Sequence, residues 1–155
     1  MIKRIQSLYL LLTTALSFLF LKGGFLSFTE KTGSLIKITF TGITRETGIQ
    51  AYESIQKLIW LTIIIILIPL FSAVSIFLFK KRNVQIWLVS VLIILNVILI
   101  LLSGFYSYFI VTKFNSVISP NVKMAVPVLQ LIFSILAYKG IRKDDNLVKS
   151  YDRLR

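Results

Sequence analysis

No Lys, Arg, Asp or Glu occurs between Leu58 and Phe79, nor between Val84 and Val111. A helix needs about 20 apolar residues to cross the hydrocarbon of a bilayer, and both runs are long enough. Two more apolar runs, Ile5 to Leu21 and Val122 to Tyr138, carry charge only near their ends. Hydrocarbon leaves no backbone N–H or C=O a water partner, so such runs must be helical. Hydrophobic residues make up 56% of the 155, beyond the range of ordinary soluble domains. The expected fold class is therefore an all-α membrane protein. It has four transmembrane helices, a small β-hairpin-like extracytoplasmic loop and a C-terminal amphipathic helix, all in one domain spanning residues 1–155. Lys3 and Arg4 ahead of LYLLLTTALSFLFL imitate a secretory signal; the segment is read here as the first span.

The net charge of +12 does not indicate nucleic acid, because the basic residues flank apolar runs instead of forming one aromatic-laced patch. At span ends they orient the chain and meet phospholipid. One side collects eleven Lys and Arg: Lys3 and Arg4, the Lys80-Lys81-Arg82 turn, and six in the tail after Tyr138. The other side collects seven. The excess places both termini in the cytoplasm. Tyr52, Trp60, Tyr106 and Tyr108 then lie at the outer headgroup level, and Trp87 and Tyr138 at the inner one.

The chain has neither Cys nor His, which removes disulfides, thiolate metal sites, imidazole bases and His-ligated haem. No ionisable residue stands at mid-depth in a span, where a proton relay or voltage sensor would need one. No catalytic residue, cofactor or metal is expected.

Residues 22–57 form the one sizeable outer loop. Within it FLSFTE, KTG and SLIKITF read as strand, turn and strand, since Ile36, Ile38 and Phe40 alternate with polar positions. Gly33 supplies the positive φ of a hairpin turn. An isolated hairpin is marginal in water, so Ile36, Ile38 and Phe40 are candidate partner contacts. Ile49 to Lys57 is expected to lead helically into the second span. The second outer loop, Thr112 to Asn121, is short and ends at Pro120.

Four residues interrupt the apolar spans: Pro69, Asn96, Pro127 and Gln130. Pro69 leaves the Ile65 carbonyl without its helical donor. Asn96 is expected to satisfy that carbonyl or to meet Gln130, acting as interhelical glue. The functional alternative is a polar lining for a substrate path. Thr13 with Ser17, and Ser103 with Ser107, are small pairs four apart that suit close helix packing.

The tail reads KGIRKDDNLVKSYDRLR from Lys139. Leu147, Tyr151 and Leu154 share one helical face, Asp145 precedes Lys149 by four, and Asp144 suits an N-cap. A short amphipathic helix lying on the cytoplasmic surface is expected, its three apolar residues being further candidate contacts. The opening MIKRIQSLYLLL and the closing IRKDDNLVKSYDRLR resemble a family of small four-span bacterial inner-membrane proteins of unknown function. That resemblance implies architecture and an inner-membrane location, and transfers no catalytic residue. The expected function is a non-catalytic accessory or scaffold subunit of a larger inner-membrane assembly, with membrane lipids and other integral subunits as partners. The alternatives are a small transporter or channel, or a lipid-interacting protein acting alone.

Overall fold

Each of the four apolar runs becomes a helix in the computed structural model, which describes residues 5–21, 23–30, 33–47 and 51–152. Helix α1 is Ile5–Leu21, α2 is Ile59–Phe77, α3 is Arg82–Phe114 and α4 is Val126–Asp152. The helices α2, α3 and α4 are long and apolar enough to cross a membrane, while α1 is apolar and shorter at 17 residues. A 3-10 turn, Leu78–Lys80, joins α2 to α3, so these two run antiparallel. At 33 residues α3 is about 50 Å long. It ends where Asn115 takes the left-handed conformation, φ 45°, which Asn tolerates as a helix terminator. A second 3-10 turn, Val122–Ala125, opens α4, with Asn121 accepting a bond from the Lys123 N–H at 3.2 Å.

The segments between helices build a five-stranded antiparallel sheet. Its strands are β1 Leu26–Thr29, β2 Leu35–Ile38, β3 Gly42–Thr47, β4 Ala51–Lys57 and β5 Val117–Ser119, in the order β4-β3-β2-β1-β5. The β1–β2 hairpin follows the period-two pattern, pairing Leu26 with Ile38 and Phe28 with Ile36. Gly33 turns it at φ 85°, donating its N–H to the Glu30 carbonyl. The hairpin is thus present, but it is the middle of a larger sheet.

Three expectations are corrected. Residues leading into α2 form a strand, β4, and not a helix. Ala, Glu, Gln and Lys favour a helix locally, but the open edge of β3 takes up their backbone instead. Ile55 is the extra residue of a bulge there, since Ile43 faces Gln56 while Thr44 faces Ser54. The segment between α3 and α4, expected as a short loop, contributes β5, which pairs with β1 through Phe28 and Ile118. The tail is no separate helix on a surface: α4 runs unbroken from Val126 to Asp152. Asp144 consequently sits well inside a helix and caps nothing.

One apolar core joins sheet and bundle. Leu26, Phe28, Ile36, Ile38 and Ile43 present the inner face of the sheet and are all buried. Phe25 meets Phe20 of α1 edge-on, with ring centroids 5.2 Å apart. Burying each side chain of this size contributes on the order of 1.5–3 kcal/mol, which ties the sheet to that end of the bundle. On the opposite face Lys37 pairs with Glu46 at 2.5 Å. Thr62 of α2 donates its hydroxyl to the Phe40 carbonyl at 2.5 Å, fastening the β2–β3 turn to the helix below it.

Candidate functional site

The helices form a ring in which α1 and α3 each lie against both α2 and α4. Hydroxyl and carboxamide side chains face into that ring, and one of them crosses each of its four interfaces. Between α1 and α2, Ser72 Oγ donates to the Leu10 carbonyl at 2.8 Å and accepts from Thr14 Oγ1 at 3.0 Å. Between α1 and α4, Gln130 Nε2 donates to Ser17 Oγ at 2.9 Å, and the Ser17 hydroxyl donates in turn to the Thr13 carbonyl at 2.8 Å. Between α2 and α3, Gln85 Nε2 donates to the Ser75 carbonyl at 3.0 Å. Between α3 and α4, Asn96 Nδ2 reaches Ser134 Oγ at 3.5 Å. That last bond is at the limit of useful geometry.

Ser17, Ser72, Ser75, Gln85, Asn96, Gln130 and Ser134 are all buried. A buried donor left unpaired costs about 1–3 kcal/mol, so every such bond selects one helix rotation over others. The ring closes at the end opposite the sheet in the same manner. Gln6 Nε2 donates to Asp144 Oδ2 at 2.8 Å, and Arg82 donates to the Asp144 carbonyl at 3.1 Å.

Asn96 and Gln130 therefore face the interior as expected, but with other partners. Asn96 gives its amide to the Leu92 carbonyl of its own helix, at 2.8 Å, and weakly to Ser134. It does not serve Ile65. Pro69 lies inside α2, three residues from Ser72. Pro127 falls in the first turn of α4, where a missing N–H costs no helical bond, so it starts the helix and does not kink it.

The apolar contact candidates divide. Ile36 and Ile38 are fully buried by this chain's own sheet and bundle, and Phe40 is half-buried. The idea that they await a partner treated the hairpin as isolated, whereas β3, β5 and the helices cover it. Leu147 is exposed. Only the backbone of Tyr151 is described, and Leu154 lies outside the described residues. Single-residue reading missed Ser72, Ser75, Gln85 and Ser134. Their signal was present as polar residues recurring on one helical face, Gln130 with Ser134 for example.

Four buried side-chain atoms have no partner among the described residues: Arg45 Nε in the sheet, and Ser75 Oγ, Asn96 Oδ1 and Gln130 Oε1 in the bundle. Removing each amide separates their roles. Gln130→Leu breaks the Ser17 bond and is expected to cost about 0.6–1.7 kcal/mol, the range for side-chain bonds between strongly apolar helices. Both variants remove an unsatisfied acceptor, but Asn96→Leu breaks an interhelical bond that is long, at 3.5 Å, and is expected to change stability by less than about 0.5 kcal/mol. Thermal unfolding of the purified protein in detergent measures both. A larger loss at Asn96 than at Gln130 contradicts this assignment.

A family model described as Domain of unknown function (DUF4293) matches residues 2–154, in keeping with the resemblance carried by the two ends. Comparison with curated proteins and with solved structures finds no match.

Proposed function

The chain belongs to the DUF4293 family, and we propose that it is a non-catalytic four-span protein of a bacterial inner membrane, serving as an accessory or scaffold subunit. The observation that carries this reading is the use made of the buried polar groups: they hold helix to helix around the whole ring. A bundle fastened firmly at three of its four interfaces, and weakly at the fourth, is a rigid platform. Its outward faces are apolar, with Leu8, Leu11, Ile66, Leu70, Leu101 and Ile132 all exposed, as lipid contact requires. Trp60 and Tyr108 are exposed toward the sheet end and Trp87 toward the other, the levels that amphipathic rings favour. The excess of Lys and Arg puts the sheet outside and both termini inside.

On the outer side the sheet offers a new surface in place of the buried hairpin residues. Edge strand β5 exposes Val117 and Ile118, and the turn after it exposes Val122 and Met124. Exposed apolar groups on a free strand edge invite a second chain.

Affinity purification in mild detergent tests the reading. The native chain is expected to recover a stoichiometric membrane subunit, and Val117→Ser with Val122→Ser, at the two most exposed of these positions, to lose it while folding normally. Recovery of the protein alone, across several detergents and crosslinkers, overturns the accessory role. In the same cells Gln56→Cys should react with an impermeant thiol reagent from outside, and Asn83→Cys and Ser150→Cys only after permeabilisation. These positions are exposed, whereas Ser116 is 3% exposed. The transporter alternative draws on the unpartnered oxygens of Asn96 and Gln130. It requires Gln130→Leu to abolish a flux without loosening the bundle.

A further inference from the structure

Resting on the membrane reading above, we propose that the outward face of α4 just beyond Tyr138 holds the headgroup of an anionic glycerophospholipid. Lys139, Arg142 and Lys143 stand at i, i+3 and i+4, hence on one helical face, and all three are exposed. With Ile135, Tyr138 and Asn146 they line a groove of about 720 Å³.

The described acids of the same segment, Asp144 and Asp145, are turned elsewhere. Asp144 accepts from Gln6 of α1, and Asp145 is 8% exposed. Among the described residues the ion pairs are Lys37–Glu46 and Arg45–Glu30, both in the sheet region. Among the described residues Lys139, Arg142 and Lys143 thus face outward without a carboxylate ion pair. Arg142 makes only a long contact, 3.5 Å, with the Tyr138 hydroxyl, which leaves its planar fork for a second acceptor.

The occupant follows from what flanks the charges. One to two turns toward the sheet, the same helix exposes Ile132 and Leu136 beside half-buried Ile135. A ligand here meets cations at one end and hydrocarbon at the other, over about 5–11 Å of helix. A phosphodiester carrying acyl chains has that layout. Arg suits two phosphate oxygens at once, and Lys adds point charge beside it. Phosphatidylglycerol has the required net negative charge, and phosphatidylcholine, with the same tails, does not.

The full-length protein in lipid nanodiscs of phosphatidylcholine with and without phosphatidylglycerol provides the test, with tightly bound lipid identified by native mass spectrometry. The native chain should retain phosphatidylglycerol about tenfold over phosphatidylcholine, given the pull of basic residues on anionic lipid. Lys139→Gln, Arg142→Gln and Lys143→Gln together should abolish that preference with helix content unchanged. Lys139→Arg with Lys143→Arg should keep it. Excess glycerol 3-phosphate should displace little, since it lacks the tails. Equal retention by the triple Gln variant overturns the proposal, as does full displacement by glycerol 3-phosphate. So does capture at this face of an acidic protein segment in place of lipid. Alkaline carbonate washing of native membranes separates the two levels. A chain that washes out overturns the membrane reading itself, and a chain that stays embedded without lipid preference overturns only the headgroup site.

Discussion

Phe28→Ala is expected to cost about 3–5 kcal/mol, the range for deleting a buried ring from a core. Phe28 is 0% exposed and sits between Ile36 on β2 and Ile118 on β5, so its ring is shared by three strands and the bundle below. Its loss leaves a cavity at the junction, where strands are too short to collapse inward. Phe28→Leu keeps most of the apolar volume and should cost less than about 1.5 kcal/mol. Thermal unfolding in detergent, with hydrogen exchange across residues 26–47, reads both effects. If Phe28→Ala unfolds at the native temperature with native protection, the sheet does not derive its hold from this face.

Gly42→Val is expected to reach about 3 kcal/mol, the upper end for overpacking. A Cβ at position 42 would stand 2.3 Å from the Gln56 carbonyl oxygen and 3.1 Å from the Lys57 Cα. Both obstacles are backbone and cannot rotate aside. The Thr39 N–H and hydroxyl also both bond the Gly42 carbonyl, at 2.8 Å each. Moving residue 42 therefore disturbs the β2–β3 turn as well as β4. Proteases should then cut the chain between residues 42 and 57 well before they cut the helices. A variant as resistant as the native protein rules out this close approach.

The outcome of these two substitutions depends on a sheet only part of which was legible from the residues. The β1–β2 hairpin was visible because period-two alternation and a turn glycine are local signals. Strands β3 and β4 were not, because GITRET and AYESIQK are polar and carry no strong alternation. They are strands because each pairs with a neighbour. β5 is three residues long, too short for any pattern, and it forms only because the end of α3 delivers it beside β1.

The helices divide along the same line. Apolar run length is a one-dimensional property, so α1 has the expected bounds, Ile5–Leu21, and α2 and α3 lie within three residues of theirs. Family membership, too, was carried by short runs at the two ends. Partner choice inside the bundle is three-dimensional. A helix turns by about 100° per residue, so whether Asn96 meets Ile65, Gln130 or Ser134 is decided by rotation and tilt that no spacing specifies. The same holds for the tail. Its amphipathic pattern was present in the residues, but the burial of Ile141 and Asp145 and the grip of Gln6 and Arg82 on Asp144 make it a continuation of α4. That continuation leaves Lys139, Arg142 and Lys143 outward. Their charges and their spacing on one helical face belong to the sequence, and the turning of that face away from the bundle belongs to the packing of α4 against α1 and α3.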